Sequence, residues 1–183
     1  MCHVTGVWVM CHTEARREKE ASAKRLDAMA RGPQTIASVI SSLPEEELTD
    51  EVIAHHMRLM LRSNQQLFGS CVAFAPEAFR GKPRHNVYCC RGTDADDADG
   101  DGLRWNPLPY DYTQDEWFDV PMTQRRDHWS RPYFDEGGGD IWMVTYSVPF
   151  HRNSVLAGTD GGTFVPSLTT ALAVALCFRF GGW

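Results

Sequence analysis

The sequence predicts a single α+β domain, in which helices come first and an antiparallel sheet follows. Residues 13–62 carry apolar side chains at helical spacing, whereas the period changes at Leu67 to short β-rich runs joined by long loops. Helices followed by a run of strands are typical of α+β folds. The chain of 183 residues is long enough to form one domain with a hydrophobic core.

Two helices are predicted in the first third of the chain. The first begins with Thr13 as N-cap and runs to about Ser42, and Gly32-Pro33 is expected to kink or interrupt it. The second follows Pro44, which suits a first helical turn and precedes a group of acidic residues.

The strands are predicted from short β-rich runs. "LFGSCVAFAP" from Leu67 and "NVYCCR" from Asn86 are the first two, and a strand places Cys89 and Cys90 on opposite faces. "YDYTQDEWFDVP" predicts a short helical turn that ends before Pro121. "HWSRPYF" is expected to be a strand or an extended segment, and "DIWMVTYSVPF" has the clearest strand pattern in the chain.

The charge distribution argues against nucleic acid as a partner. The formal net charge is −6, and the concentrated charges are acidic rather than basic. The longest apolar run, "ALAVALCF", is well short of the ~20 residues that a membrane helix needs. Six cysteines show no recognisable disulfide spacing, so they do not indicate a redox compartment.

Two groups of residues resemble metal ligands, but neither predicts a site. Asp97, Asp99 and Asp101 reproduce the opening of a calcium loop, yet Leu108 stands where the loop needs a bidentate Glu. A solvated acidic loop is therefore expected. The pairs Cys2-His3 and Cys11-His12 could supply zinc ligands, but adjacent side chains rarely reach one ion. Residues 1–12 are predicted to be an irregular N-terminus.

The triple-glycine loop within "RPYFDEGGGDIWMVTYSVPF" also has more than one interpretation. A phosphate cradle would require a helix after the glycines, whereas a strand follows and two acids precede them. A β-hairpin loop whose glycines adopt positive φ is expected instead. No G-x-S-x-G motif occurs and no histidine has a partner at a catalytic spacing, so no enzymatic activity and no cofactor are predicted.

Three segments together resemble a known family. "NQQLFGSCVAFAPEAF", "DYTQDEWFDVP" and "WSRPYFDEGGGDIWMVTYSVPF" are similar, in this order, to the extracytoplasmic PDC/Cache sensor domain of bacteria, and the resemblance covers about Thr13 to Arg152. Such domains occur in sporulation-type serine phosphatases, chemoreceptors and histidine kinases. The resemblance implies a long N-terminal helix, then a PAS-like antiparallel sheet with flanking helices, and a small-molecule pocket over the sheet.

The resemblance also implies which residues contact a ligand. In amino-acid-binding members, an arginine two places before a tryptophan clamps the ligand carboxylate. Here Asp115 has that place, while Trp117 and Phe118 match the aromatic pair. A cationic amine or a neutral polar ligand is therefore expected, unless Asp115 and Glu116 lie on the outer surface and touch nothing. The full expected set is Tyr112, Asp115, Trp117, Phe118, Trp129, Tyr133, Asp135 and Tyr146, of which Trp117, Tyr133 and Tyr146 are predicted to share one cavity.

The expected organisation follows from the same resemblance. Residues 13–165 form the sensor domain, with helices in 13–62 and the sheet region in 67–165, and residues 166–183 form an atypical or truncated tail. The predicted function is extracytoplasmic ligand sensing in a signal-transduction receptor, with a homodimer formed through the N-terminal helix. Two alternatives stay open: a regulatory fragment of a membrane-bound serine phosphatase or histidine kinase, and a calcium-binding structural module.

Overall fold

The long N-terminal helix is continuous and starts earlier than predicted. The computed structural model describes residues 4–92, 100, 102–152 and 171–172, and α1 spans Val4–Ser42. Thr13 therefore lies inside the helix rather than at its N-cap, and residues 4–12 are helical rather than irregular. Cap preference is a weak signal where helix-compatible residues continue on both sides. Cys2 and His3 lie outside the described residues.

The Gly32-Pro33 pair was predicted to kink or interrupt the first helix, and α1 is not interrupted there. Pro33 removes one N–H from the hydrogen-bond ladder, but Ile36 and Ile40 bury the next turns against the core. Gly32 has a packing role, because a Cβ there would lie 2.6 Å from the Met60 sulfur. The glycine thus allows the second helix to approach α1 closely.

The second helix, α2, spans Asp50–Ser63 and starts later than Pro44. The Thr49 side chain caps it by accepting a hydrogen bond from Val52 N at 3.3 Å, and Asp50 and Glu51 complement the helix dipole. Pro44 instead precedes a turn between the two helices. A capping threonine followed by two acids is the stronger start signal at this point.

Two arginines, Arg152 which is buried and Arg91 which is half-buried, fix the C-terminal ends of both helices. Arg152 donates to the carbonyls of Ile40 and Leu43 at 2.7 and 2.6 Å, and Arg91 donates to the Leu61 carbonyl at 2.7 Å. A cation at a helix C-terminus binds carbonyls that have no partner within the helix. These contacts join both helices to the strand region.

The first sheet has the antiparallel order β1-β2-β3, formed by Gly69–Phe74, His85–Arg91 and Leu103–Trp105. Its register pairs Cys71 with Tyr88, and the short third strand was not predicted. Cys89 packs on the helix side with Val72, whereas Cys90 packs on the other side. The prediction that the adjacent cysteines face opposite ways is confirmed.

The last predicted strand is divided between two small sheets. β4 (His128–Trp129), β7 (Tyr146–Pro149) and β8 (Ala171–Leu172) form one sheet, and β5 (Tyr133–Phe134) pairs with β6 (Trp142–Met143) in another. "DIWMVTYSVPF" is thus two strands rather than one. The chain changes sheet at Thr145, whose buried side chain bonds to the Tyr133 hydroxyl at 2.7 Å. The β5–β6 pair confirms that the glycine loop closes a hairpin.

The core has two parts, one on each face of the first sheet. α1 and α2 cover one face, and a third helix, α3 (Glu116–Gln124), covers the other. α3 was predicted to end before Pro121 but continues through it. Pro121 is the sixth of nine residues and removes one backbone N–H from the helix. The predicted α+β architecture is confirmed. Among the described residues, no helix is apolar over a length that would cross a membrane.

Candidate functional site

The candidate site is the face of the first sheet that α3 covers, called here the α3 face. β1 and β2 contribute small or polarisable side chains to it, and α3 and the segment before it contribute aromatic rings. Nine buried residues form this cluster: Cys71, Ala73, Tyr88, Cys90, Leu108, Tyr112, Trp117, Phe118 and Met143. The small side chains of Cys71, Ala73 and Cys90 on the strands leave room for the aromatic rings of Tyr112, Trp117 and Phe118.

Tyr112 fixes the segment that leads into α3. It lies in a short 3-10 turn, is fully buried, and places its hydroxyl 2.8 Å from the Phe74 carbonyl. The same hydroxyl accepts from His85 N at 3.2 Å. Its ring centroid is 5.1 Å from that of Phe118. Tyr112 is therefore a structural anchor between two strands as well as part of the predicted ligand set.

Trp117 and Asp115 form the polar part of the α3 face. Asp115 precedes α3, is partly buried, and makes no side-chain capping hydrogen bond. Burial raises the pKa of its carboxyl, a long hydrogen-bonding contact from the Trp117 side chain lowers it, and the charges of Asp135 and Asp111 raise it further. Trp117 is 2% exposed, and its indole N–H is buried with no acceptor at hydrogen-bonding distance in the described part of the chain. Such a donor is available to a bound molecule.

Glu116 points away from this arrangement and already has partners. Its carboxylate accepts from Arg131 Nε at 2.8 Å and from His128 Nε2 at 3.2 Å. The alternative that Glu116 touches nothing is therefore wrong. Arg131 balances the charge of Glu116. Of the two adjacent acids Asp115 and Glu116, Asp115 is therefore the one that lies beside the aromatic cluster.

Asp135 organises the glycine loop from the inside. It is 4% exposed, and its two oxygens accept from the Tyr110 hydroxyl at 2.6 Å and from Gly139 N at 2.7 Å. Burial and then the Asp135 charge raise the pKa of the Tyr110 phenol. A Cβ at Gly138 would collide with the Asp135 carboxylate, and one at Gly139 would lie 2.6 Å from the Phe68 ring. Asp135 thus has a structural role in this loop.

Positive φ accounts for one glycine of the three. Gly137 has φ +77, and Asp140 also adopts a positive φ of 52. Gly138 and Gly139 are required by close approach instead, as their virtual Cβ contacts show. The prediction that the glycines supply positive φ holds for Gly137.

Trp129 and Tyr146 lie elsewhere. Both pack with the helix-side core, and their ring centroids are 4.8 Å apart. The Tyr146 hydroxyl accepts from Gln34 on α1 at 3.0 Å and donates to Asp127. The structure therefore places Trp117 and Tyr133 at the α3 face but Tyr146 against α1, and the prediction of one shared cavity for all three does not hold.

A cavity of about 650 Å³ opens beside the α3 face, between β2 and the segment that leads to Tyr112. Tyr88, Tyr110 and Tyr112 contribute to its wall, together with His85. Of these, only Tyr112 belongs to the predicted set. Tyr110 stands two residues earlier in the same aromatic segment, and that proximity is the signal that could have identified it.

No metal site is found among the described residues, since no three of their His, Cys, Asp or Glu side chains form a suitable group. Asp97, Asp99 and Asp101 lie outside these residues, so the calcium-loop hypothesis has no structural account here. Cys11 and His12 are part of α1.

Comparison with known proteins gives a family match and several structural neighbours. Residues 53–163 match the model of the methyl-accepting chemotaxis protein-like first PDC sensor domain. Among curated proteins, none matches the chain. The extracellular domain of soHK1S-Z6, a protein assigned as a histidine kinase, is 26% identical with a TM-score of 0.63, over 83% of this chain and 53% of that one.

Two chemoreceptor structures are similar at lower identity and support the fold alone. Methyl-accepting chemotaxis protein X is 17% identical with a TM-score of 0.68, over 95% of this chain and 63% of that one. The periplasmic sensory domain of Tlp1 from Campylobacter jejuni is 10% identical with a TM-score of 0.57, over 86% and 57%. The chain spans between 53% and 63% of the length of these three structures.

Proposed function

Because the chain belongs to the family of methyl-accepting chemotaxis protein-like first PDC sensor domains, we propose that it is the extracytoplasmic ligand-sensing domain of a bacterial signal-transduction receptor. In this proposal the domain binds a small molecule at the α3 face and does not itself catalyse a reaction. In this proposal the output domain of the receptor is a chemoreceptor, histidine kinase or serine phosphatase module, which the sequence of the complete receptor gene would identify.

The observation that carries the proposal is the pairing of Asp115 with Trp117. A partly buried carboxylate without a capping bond lies next to a buried indole N–H without an acceptor. The indole N–H reaches the Asp115 carboxylate only through a contact longer than an ordinary hydrogen bond, so both groups keep hydrogen-bonding capacity for a polar partner. A ligand with a cationic or neutral polar group is suited to both, since it can contact the carboxylate, the indole N–H and the aromatic faces.

The charge of the preferred ligand follows from Asp115. Glu116 is balanced by Arg131, and Asp111 lies 3.5 Å from Arg84. Asp115 therefore contributes the unbalanced charge of this segment, and it would repel the carboxylate of a free amino acid. A close charge contact at an effective dielectric of ~20 is worth a few kcal/mol at most, which corresponds to about one to two powers of ten in affinity.

The response to a ligand would pass through β7. α3 contacts β7, and β7 contacts α1 on its other side. A ligand that draws α3 toward the sheet would favour the arrangement of β7 and α1 to which it binds more tightly. α1 is the element that would carry this shift out of the domain.

The proposal is tested by a thermal-shift screen of amines, α-amino acids and organic acids on the purified protein. We expect stabilisation by amines or neutral polar compounds, and its loss in Asp115→Ala. Asp119→Ala is the matched control, because Asp119 is an exposed acid of the same helix.

Two outcomes would overturn the charge argument. One is stabilisation by amino acids or dicarboxylates that persists in Asp115→Ala. The other is an equal loss of stabilisation in Asp115→Ala and Asp119→Ala, which would indicate a general charge effect. A screen with no stabilising compound would contradict ligand binding at the α3 face.

A further inference from the structure

A separate cavity of about 430 Å³ lies between α1 and the strands β4 and β7, on the helix side of the fold. This cavity is separate from the α3 face, because none of the residues that line it belongs to the buried cluster of that face. Six side chains define its chemistry: Leu26, Asp27 and Gln34 from α1, and Asp127, Trp129 and Tyr146 from the strand side.

The wall of this cavity is held in place by Tyr146. This residue is 4% exposed, its hydroxyl accepts from Gln34 Nε2 at 3.0 Å and donates to Asp127, and its ring packs on Trp129. Burial raises the pKa of the Tyr146 phenol, and the charges of Asp127 and Asp27 raise it further. Asp27 and Asp127 are both exposed residues of different elements, and both act on the buried Tyr146 hydroxyl.

Leu26 supplies an apolar part of the lining, and Ala30, Arg31 and His128 complete it. Leu26 is 46% exposed, which is unusual for a large aliphatic side chain beside a cavity. Asp27 forms no ion pair within the described part of the chain. The cavity thus combines two carboxylates, two aromatic rings and an aliphatic side chain.

We propose that this cavity binds an organic ammonium ion, with the charged nitrogen between Asp27 and Asp127 and the apolar body against Trp129 and Leu26. Aromatic faces and carboxylates together favour such cations. A metal ion suits the cavity less well, because the described residues contain no group of three metal-ligating side chains and the walls are partly apolar.

Arg31 and His128 also line the cavity and must be considered. Arg31 is exposed and forms no ion pair with Asp27 or Asp127 in the described structure, so it does not cancel either charge by contact. It does weaken the attraction for a second cation. His128 is engaged with Glu116 at 3.2 Å and faces the cavity as a bonded side chain.

The position of the cavity gives binding a consequence. Asp27 belongs to α1, whereas Asp127 directly precedes β4, so one ammonium would bridge the long helix and the strand region. Binding would hold α1 against β7 whether or not the α3 face is occupied. This is a second input to the same helix, and it goes beyond the proposed function.

The test uses benzylammonium as probe and benzyl alcohol as its uncharged analogue of the same shape. Titrations followed by tryptophan fluorescence and by thermal shift are made on the full chain. We expect benzylammonium to bind more tightly than benzyl alcohol, with affinity about two- to fivefold lower in Asp27→Asn and up to about twofold higher in Arg31→Ala, because these charges are exposed and screened by solvent. Asp127→Asn should also weaken binding, with circular dichroism to confirm folding, because this residue bonds to Tyr146.

Glu46→Gln, an exposed acid outside the cavity, is the matched control and should bind as the unmodified chain does. Asp115→Ala should also retain this binding, which separates the cavity from the α3 face. Unchanged affinity in Asp27→Asn would overturn the proposal, as would equal binding of the alcohol and the ammonium. Loss of binding in Asp115→Ala alone would assign the probe to the α3 face, and the absence of any benzylammonium binding would reject the site outright.

Discussion

At the scale of single residues, Asp135 explains how a loop with three consecutive glycines can be well packed. Its carboxylate accepts from the Tyr110 hydroxyl and from Gly139 N, and the Asp135 carbonyl accepts from Asp140 N at 2.9 Å. A buried carboxylate that receives two hydrogen bonds replaces the side-chain packing that the glycines lack. The loop is ordered by hydrogen bonds, whereas most of the domain is ordered by apolar contacts.

We predict that Asp135→Asn destabilises the domain by about 1–3 kcal/mol, the usual cost of leaving a buried hydrogen-bonding group without its partner. Tyr110 and Gly139 donate to different oxygens of Asp135, and Asn keeps only one of these two acceptors and puts an NH₂ group in the place of the other. Urea unfolding measures the difference, and Glu136→Gln is the control because Glu136 is exposed in the same loop. Equal stability of the two variants would show that Asp135 does not organise the loop.

At the scale of elements, the β5–β6 hairpin uses its glycines for two different reasons. Gly137 needs its positive φ, and only Pro109 lies near its virtual Cβ, at 3.4 Å. Gly139 lies against Phe68 and the Tyr88 hydroxyl, at 2.6 and 3.2 Å from its virtual Cβ. Gly137 is required for its backbone conformation, whereas Gly139 is required because a larger side chain would not fit there.

This difference predicts unequal costs for two substitutions in one loop. Gly137→Asn should cost less than about 1 kcal/mol, because Asn tolerates the left-handed region. Gly139→Ala should cost about 1–3 kcal/mol, because an added methyl group forces Phe68 or the loop to move. Chemical denaturation of both variants tests the order, and a larger loss in Gly137→Asn would contradict it.

A second element-scale contact joins α3 to β4 and the residues after it. Glu116 accepts from Arg131 and His128, and the Arg131 side chain is 87% exposed, so solvent screening limits the gain. Partial burial raises the pKa of the Glu116 carboxyl, but the bonds from Arg131 and His128 lower it by more, and the net pKa lies below its ordinary value of 4.5. A group with a lowered pKa in the folded state stabilises the protein above its unfolded-state pKa.

We therefore predict that Glu116→Gln reduces the unfolding free energy at pH 6 by less than about 1 kcal/mol. The stabilisation that Glu116 supplies is fully present above pH 4.5 and is lost as the pH falls through its lower folded-state pKa. The difference in stability between the two proteins should thus be smaller in a strongly acidic buffer than at pH 6. Denaturation at both pH values measures this, with Asp119→Asn as control, and a gap that widens on acidification would contradict the assignment.

At the scale of the whole molecule, α1 extends well beyond the part of the fold that it packs against. Its 39 residues correspond to about 58 Å at 1.5 Å per residue. Residues 16–28 are exposed, and Ala30 is the first described residue of the helix to be buried. The exposed part is available for association with a second copy, which stays a prediction.

Removal of residues 1–24 tests this prediction. The unfolding free energy of the truncated domain should lie within about 1 kcal/mol of that of the full chain. The reason is that residues 16–24, the deleted residues whose burial the structure describes, are exposed. Self-association, measured by analytical ultracentrifugation, should be present in the full chain and absent after truncation. A truncated protein that still dimerises would place the interface elsewhere, and a large loss of stability would show that the removed segment packs on the domain.

The amino-acid sequence by itself determined the order of helices and strands, the hairpin at the glycine loop and the opposite faces of Cys89 and Cys90. These features depend on local periodicity and turn chemistry, which a short window of residues contains. It also indicated the family, through three separated segments. In the structure, five of the residues predicted to contact a ligand lie at the α3 face, although the contact itself stays a prediction: Tyr112, Asp115, Trp117, Phe118 and Tyr133. Asp135 lies near them but is bonded within its own loop.

Only the tertiary structure decided which partners these side chains have. Glu116 and Asp115 are adjacent, yet one binds Arg131 and the other lies beside the aromatic cluster. Tyr133 and Tyr146 come from one short segment, yet the change of sheet at Thr145 sends them to different parts of the core. The reason is that partners distant in the chain, such as Gln34 and Tyr146, meet through packing that local sequence patterns do not specify.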